Sequence, residues 1–175
     1  MYTSLVSKSF QIISRNKSSL FYSISYLFQD YTTALLLTDE IGHHPENSPL
    51  IFYKFGNNEF FDGLLSLELA KICRGHYELW MERSKKNIHE LRLKAKHLKC
   101  CLSKLSLLEA ELASVHRNIE KAEMHYNKAI LFSRENDGVN MEAMVCERAG
   151  LFFLEANSME KTTSFLLQSY TYYKK

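Results

Sequence analysis

The chain has 175 residues, of which 46% are hydrophobic and 24% are charged. A chain of this length can bury a proper core, either as one compact domain or as a short helical array. Its 22 Lys and Arg residues nearly balance its 20 Asp and Glu residues, so the net charge is only +2. This balance argues against nucleic acid and against an anionic membrane as the partner, because both usually select a concentrated basic face.

Glycine and proline are scarce, with six and two residues respectively. Both prolines, Pro45 and Pro49, fall in one short stretch. A β-sandwich or an α/β enzyme of this size needs many more turn residues, whereas helices joined by tight turns do not. No segment alternates hydrophobic and polar residues for long, as a strand would. The sequence therefore predicts an all-α fold.

The cysteines and the start of the chain bear on the cellular compartment. The four cysteines lack the spacings of a disulfide framework, and two of them, Cys100 and Cys101, are adjacent. Charged residues interrupt the apolar start at Lys8, Arg15 and Lys17, so we expect no signal sequence. No run of about 18 apolar residues predicts a membrane span. We therefore expect a reducing, cytoplasmic setting.

Apolar residues that recur three and four positions apart predict helices along most of the chain. Residues 1–17 are only weakly periodic, and we assign them to an N-terminal flank whose helical content the sequence leaves open. From residue 18 a helix runs to the polar turn at Gln29 and Asp30, a second helix runs from Tyr31 to about Ile41, and residues 42–49 form a proline-containing loop. Ser158 is expected to be the N-cap of the last helix. The further predicted helices cover residues 57–72, 76 into the nineties, 102–112, 122–136, 140–156 and 158–175.

The last two helix pairs repeat one pattern at a fixed offset of 40 residues. Small side chains occupy its first, third and fifth positions, which lets helices approach closely, and a bulky side chain at the fourth fills the groove between pairs. The matched residues are Ala110 and Gly150, Ala113 and Phe153, Ala122 and Thr162, Tyr126 and Leu166, and Ala129 and Ser169.

This alternation of small and large positions is the packing logic of a tetratricopeptide repeat. The offset exceeds the usual ~34 residues of that repeat, so the helices or turns must be longer than standard. The earlier pair from Ser19 to Gly42 fits the pattern less well, and the middle of the chain fits it loosely. We predict a tetratricopeptide-like α-solenoid of antiparallel helix pairs over residues 18–175.

Several segments carry a pattern that is more specific than a tetratricopeptide match. They are residues 28–35 (FQDYTTAL), 60–65 (FFDGLL), 107–113 (LLEAELA), 122–130 (AEMHYNKAI), 142–143 (EA), 147–155 (ERAGLFFLE), 164–166 (SFL) and 170–173 (YTYY). Together, from about Ser19 onward, they resemble a helical region of very large fungal hybrid sensor histidine kinases.

In that family a kinase-like domain and a P-loop ATPase-like module precede the helical array, and a GAF domain, a histidine kinase core and a receiver follow it. The resemblance implies a cytoplasmic, stress-responsive phosphorelay sensor whose helical segment docks a signalling protein. The family usually has a proline before the Leu107 helix, where this chain reads HLKC at residues 97–100. The chain also stops at Lys175, about where the family's Trp-Gly-Ala would follow. We therefore expect an excised part of a larger protein that is as a whole a histidine kinase.

No catalytic, cofactor or metal site is expected in this segment. A phosphate-binding loop needs a glycine-rich stretch that runs into Lys and Ser or Thr, and neither this loop nor a phosphoaccepting-histidine motif is present. His97 lies near Cys100 and Cys101, but a closed zinc site needs four ligands with paired spacings. These residues are more simply explained as part of a turn.

Two groups of residues are candidate functional sites. Cys100 and Cys101 have lysines at positions 96, 99 and 104 around them, which would suit redox thiols, although a small buried residue is the commoner role of a free cysteine. Tyr170, Tyr172 and Tyr173 are candidates for partner binding, because the helix that ends a stack would normally be covered by a further element. The competing interpretation is that these tyrosines are intramolecular packing residues left bare where the chain stops.

The sequence leaves three functions open. The first is a noncatalytic scaffold segment of a phosphorelay histidine kinase, and the second is a stand-alone tetratricopeptide adaptor. The third is a helical regulatory domain that binds a small ligand in its groove. The sequence of the full-length gene product would separate the first from the second, and a thermal-shift screen with metabolites would test the third.

Overall fold

A computed structural model describes residues 25–26, 30–34, 36, 56–136 and 138–174. All regular structure in these ranges is helical, which confirms the predicted all-α fold. The predicted flank over residues 1–17 and the predicted loop over residues 42–49 lie outside the described residues. The α-helices from residue 56 onward are α1 (Asn57–Ile72), α2 (Tyr77–Ala95), α3 (Cys101–Val115), α4 (Ile119–Asn136), α5 (Val139–Glu155) and α6 (Met159–Tyr173), with a 3-10 helix at Arg74–His76.

The helices pack in three pairs that are consecutive in the chain. The most extensive contacts join α1 to α2, α3 to α4 and α5 to α6, and we call these the first, second and third pair. Smaller contacts join α2 to α3, α4 to α5, α1 to α3 and α3 to α5. Buried hydrophobic residues from α1 to α5 form one continuous core, and the partly buried Phe165 and Tyr172 of α6 pack against it. The first helices of successive pairs therefore contact each other as well as their own partners.

The turns inside the second and third pairs have the same backbone hydrogen bonds. Arg117 and Asn157 are the non-glycine residues in the described ranges that adopt positive φ, at 55° and 57°. One residue later, the N–H of Asn118 donates to the Ala113 carbonyl at 3.0 Å, as the N–H of Ser158 donates to the Phe153 carbonyl at 2.9 Å. These bonds close the C-termini of α3 and α5 in the same way.

The two following helices begin differently. The side chain of Asn118 caps α4, because its Oδ1 accepts a hydrogen bond from the Lys121 N–H at 3.0 Å. Ser158 occupies the predicted N-cap position of α6, but its side chain makes no capping hydrogen bond. The Ser158 carbonyl instead accepts hydrogen bonds from the N–H and the Oγ1 of Thr162, both at 2.9 Å. Ser158 therefore lies at the predicted N-cap position, but its side chain does not form the predicted capping hydrogen bond.

Gly150 marks the closest approach of the two helices in the third pair. A Cβ atom added at this position would lie 2.6 Å from Cδ2 and 2.7 Å from Cγ of Leu166. Contacts this short are not compatible with two carbon atoms, so α5 and α6 approach as they do because residue 150 has no side chain. The close approach at Gly150 is what the small side chain at this position predicts. Leu166 packs against it within the third pair, whereas the pattern predicts that this bulky position fills the groove between pairs.

Candidate docking surface

Two contacts near the ends of α5 hold this helix against α4. The Phe152 ring packs against the Tyr126 ring, with centroids 5.7 Å apart. Toward the start of α5, the Glu142 carboxylate accepts a hydrogen bond from Nε of Arg134. Tyr126 is fully buried, and Phe152 is nearly so. One aromatic contact and one ion pair thus join the two ends of α5 to α4.

A buried charged cluster centred on Glu111 joins α5 to α3 and α1. Arg148 donates from Nε and from Nη2 to the two oxygens of Glu111, each at 2.9 Å. Lys71 Nζ lies 3.2 Å from the same carboxylate, and the Tyr126 hydroxyl donates to it at 2.9 Å. Arg148 also donates to Glu68, so α1, α3, α4 and α5 all contribute to the cluster.

The electrostatics of the cluster keep Glu111 ionised. Burial acts to raise the pKa of Glu111, but the positive charges of Arg148 and Lys71 and the hydrogen bonds from Arg148 and Tyr126 outweigh it and lower the pKa to about 2. Sequence reasoning did not find this cluster. Its members are separated by up to 80 residues, and their meeting depends on how the helices rotate against each other.

The outer side of the third pair is exposed where the second pair is covered. Ile130 is 7% exposed, whereas Tyr170, 40 residues later, is 56% exposed. Glu111 is 1% exposed, whereas Leu151, at the same offset, is 37% exposed. The buried residues Ser114 and Ser133 likewise correspond to exposed Leu154 and Tyr173. We call Leu151, Leu154, Tyr170 and Tyr173 the end surface.

Positions that face the interior of each pair behave differently. Four of the five repeat positions are buried in both pairs, and the exception is the fourth, where Tyr126 is fully buried and Leu166 is half-buried. The matched residues that are buried in both pairs are Ala110 and Gly150, Ala113 and Phe153, Ala122 and Thr162, and Ala129 and Ser169. Among the repeat positions, the burial of the two pairs therefore differs only at the fourth.

Tyr170 and Tyr173 belong to the end surface, and both are more than half exposed. The Lys174 ammonium lies 4.4 Å from the centroid of the Tyr170 ring. The Tyr173 hydroxyl donates to Glu147 at 2.8 Å, and burial together with Glu147 raises the pKa of Tyr173. Both side chains thus remain more than half exposed, with Lys174 over the Tyr170 ring and Glu147 bonded to the Tyr173 hydroxyl.

Tyr172 is placed differently from its neighbours. Its hydroxyl accepts a hydrogen bond from Nη2 of Arg134 at 3.1 Å, and a hydrogen bond to Glu142 raises the pKa of Tyr172. The ring packs against the hydrophobic core. Of the three predicted tyrosines, Tyr172 therefore connects α6 to α4 and α5, and Leu151 and Leu154 stand beside the other two on the end surface.

The two adjacent cysteines differ in burial. Cys101 is fully buried at the start of α3, and Cys100 is partly exposed. Burial, with Cys100 as the next cause, raises the pKa of Cys101 to about 11. A redox thiol needs the opposite shift, because the thiolate is the reactive form. Burial likewise raises the pKa of Cys146 to about 11.

The described residues contain no group of three or more His, Cys, Asp or Glu side chains that could hold a metal ion. Within the same ranges, no helix combines the length and the apolar character needed to cross a membrane.

Comparisons with known protein families, with curated proteins and with solved structures find no match to this chain.

Proposed function

We propose that this chain is a noncatalytic protein-interaction segment, built as a tetratricopeptide-like α-solenoid, that docks a signalling protein through its end surface. The observation that carries the proposal is the exposure of four large apolar residues at positions whose equivalents in the second pair are buried. Exposed large apolar residues are typical of protein contact sites where they group together. Tyrosine is also among the residues enriched in the cores of interfaces.

The repeat architecture is supported by the contacts and by the turns. Each pair packs on the next, and the first helices α1, α3 and α5 contact in succession, as stacked helix pairs do. The Schellman-type turns at Arg117 and Asn157 recur at the same 40-residue offset as the buried small residues. Short turns between helices favour antiparallel neighbours.

The cellular setting that we propose is a cytoplasmic, stress-responsive phosphorelay histidine kinase. Its support is the resemblance of segments such as residues 107–113 and 147–155 to the helical region of fungal hybrid sensor kinases. In that setting the segment would space a sensor domain from an ATPase-like module and hold a pathway component. The domains encoded on either side of this segment in the full-length gene are the direct check.

Alanine substitution at Tyr170 and Tyr173 tests the docking function. We expect the double variant to weaken capture of the bound protein from cell extract by about ten-fold, because a few aromatic anchors carry most of the free energy of an interface. Leu167→Ala is the matched control. Leu167 is exposed on the same helix, but it corresponds to Asn127, which is exposed in the second pair, so it lies outside the end surface.

Two results would contradict this proposal. One is equal loss of capture for Leu167→Ala and for the tyrosine variant, with circular dichroism unchanged in both. The other is loss of capture on neutralising Lys85 and Lys86 while the tyrosine variant binds normally, which would indicate docking through a basic face. Exposed charges such as these are screened at physiological salt, so we expect their neutralisation to have little effect.

A further inference from the structure

The way α5 sits on the second pair is a template for what fits the end surface. Glu142 of α5 meets Arg134, and six residues later Arg148 meets Glu111. Four residues after that, Phe152 meets the ring of Tyr126. Small side chains, at Cys146 and Ala149, are buried between these contacts. The covering helix thus presents an acidic, a basic and an aromatic residue in this order.

The residues that receive these contacts have defined equivalents in the third pair. At the 40-residue offset, the acceptor Glu111 becomes Leu151, and the cation Arg134 becomes Lys174. The ring of Tyr126 becomes Leu166, which is half-buried against Gly150. The position of Tyr126 therefore stays apolar as Leu166, and the position of Glu111 becomes apolar as Leu151. The position of Arg134 keeps its positive charge as Lys174.

We infer that the end surface, together with the neighbouring residues Leu166 and Lys174, binds an amphipathic α-helix of a partner protein that docks as α5 docks on the second pair. The partner helix carries an acidic residue opposite Lys174, a large apolar residue six positions later opposite Leu151, and an aromatic or large aliphatic residue four positions further on against Leu166. Small residues lie between them, so that the helices can approach closely. This inference rests on the proposed docking function and adds the chemistry and the register of the partner.

The apolar residue at the middle position is the specific part of the inference. An arginine there would bring a guanidinium against Leu151, which replaces the Glu111 carboxylate. Glu147, one helical turn before Leu151, already accepts a hydrogen bond from Tyr173. A cation desolvated without a partner is strongly unfavourable. Helices that share the other features but carry a cation at this position are therefore expected to bind more weakly because of charge and not because of shape.

Two peptides that differ at one residue test this directly. The parent peptide has the sequence of α5, residues 139–155, with serine at Cys146, blocked ends and a fluorescent label. The second peptide has the additional change R148L. Both are titrated against the intact chain by fluorescence anisotropy. We expect the R148L peptide to bind about ten-fold more tightly than the parent, because it alone matches Leu151.

The reciprocal variant of the chain is L151E, which restores the acidic residue found at Glu111. Leu151 is partly exposed, so we expect the variant to fold, and circular dichroism checks this. The preference between the two peptides should reverse, with the parent peptide now bound about ten-fold more tightly, as a salt-bridge partner is restored. L167E, which changes the charge equally outside the end surface, should leave the preference unchanged.

Each contrary result has a distinct meaning. If neither peptide binds at concentrations up to about 1 mM, the inference is wrong, because weaker binding could not be measured as specific. If L151E leaves the preference between the two peptides unchanged, the proposed register of the partner helix is wrong. If sedimentation shows a dimer of the chain that L151E abolishes, a second copy occupies the surface and a partner helix does not. Capture that still depends on Tyr170 and Tyr173, combined with any of these results, would leave the proposed function standing.

Discussion

The second and third helix pairs share one backbone plan, and they differ in how the outward positions are filled. In the second pair, which α5 covers, these positions include the polar residues Glu111, Ser114 and Ser133. In the third pair the equivalent positions hold Leu151, Leu154 and Tyr173, and all three are exposed. The exposed surface is thus more apolar than its covered counterpart, which is the reverse of what solvent alone would favour.

The covered side of the second pair and the end surface of the third pair therefore differ in the chemistry of their side chains. The covered side of the second pair is held by a charged carboxylate whose bonding capacity is satisfied by Arg148, Lys71 and Tyr126. Such a network tolerates little change, because removing one member leaves the others charged and desolvated. The end surface has no comparable carboxylate among its four residues, all of which are large and largely apolar.

Arg148→Met gives the largest expected effect, because it breaks the contact that couples α5 to the second pair. The change retains much of the side-chain volume but leaves Glu111 buried without its two-fold donor. Breaking a buried ion pair from one side costs about 3–5 kcal/mol. Urea unfolding followed by circular dichroism measures this loss.

The matched control for Arg148→Met is Arg92→Met. Arg92 also forms an ion pair with a carboxylate, that of Glu109, but it is more than half exposed. Exposed pairs contribute about 0–1 kcal/mol, so its loss should be much smaller. Equal effects of the two substitutions would mean that the Glu111 cluster does not hold α5 in place.

Gly150→Leu tests the interior plan that the two pairs share. The new side chain would enter space filled by Leu166, so the helices of the third pair must separate. Overpacking of this kind costs about 1–3 kcal/mol. Gly75→Leu is the matched control, since no described atom lies within 4 Å of a Cβ added there. Denaturant midpoints that fall equally for both variants would contradict the alignment of Gly150 with Ala110.

The sequence predicts the helices and the shared interior positions well, for physical reasons that are local. The bounds of α1 follow from the spacing of its apolar residues and agree with the predicted 57–72. The close approach at Gly150 follows from the recurrence of small residues at matched positions of two neighbouring pairs. Both signals come from residues that are close in the chain, so periodicity is enough to find them.

The contacts between pairs could not be found in this way. Arg148 and Glu68 are 80 residues apart, and the spacing of apolar residues does not fix how each helix is rotated about its own axis. The same uncertainty hid the role of Tyr172, which looks like its neighbours in sequence but turns inward to Arg134. The sequence did not single out Leu151 and Leu154, because a leucine on a predicted helix gives the same signal whether the folded protein buries it or exposes it.

The smallest expected difference between the two pairs lies at the starts of their second helices. Asn118 and Ser158 occupy equivalent positions, but only the Asn118 side chain accepts a hydrogen bond from the first turn of its helix.

Loss of an N-cap side chain typically costs about 1 kcal/mol. Asn118→Ala should therefore destabilise the chain by about that amount, whereas Ser158→Ala should change stability by only a few tenths of a kcal/mol because no side-chain bond is lost. Ser158→Asp sharpens the comparison, since a carboxylate at this position can accept from the free N–H groups and also interacts favourably with the helix dipole. We expect it to stabilise the chain by about 0.5 kcal/mol, measured by urea unfolding. A larger loss for Ser158→Ala than for Asn118→Ala would show that the serine forms its capping bond in solution and that the two pairs begin their second helices alike.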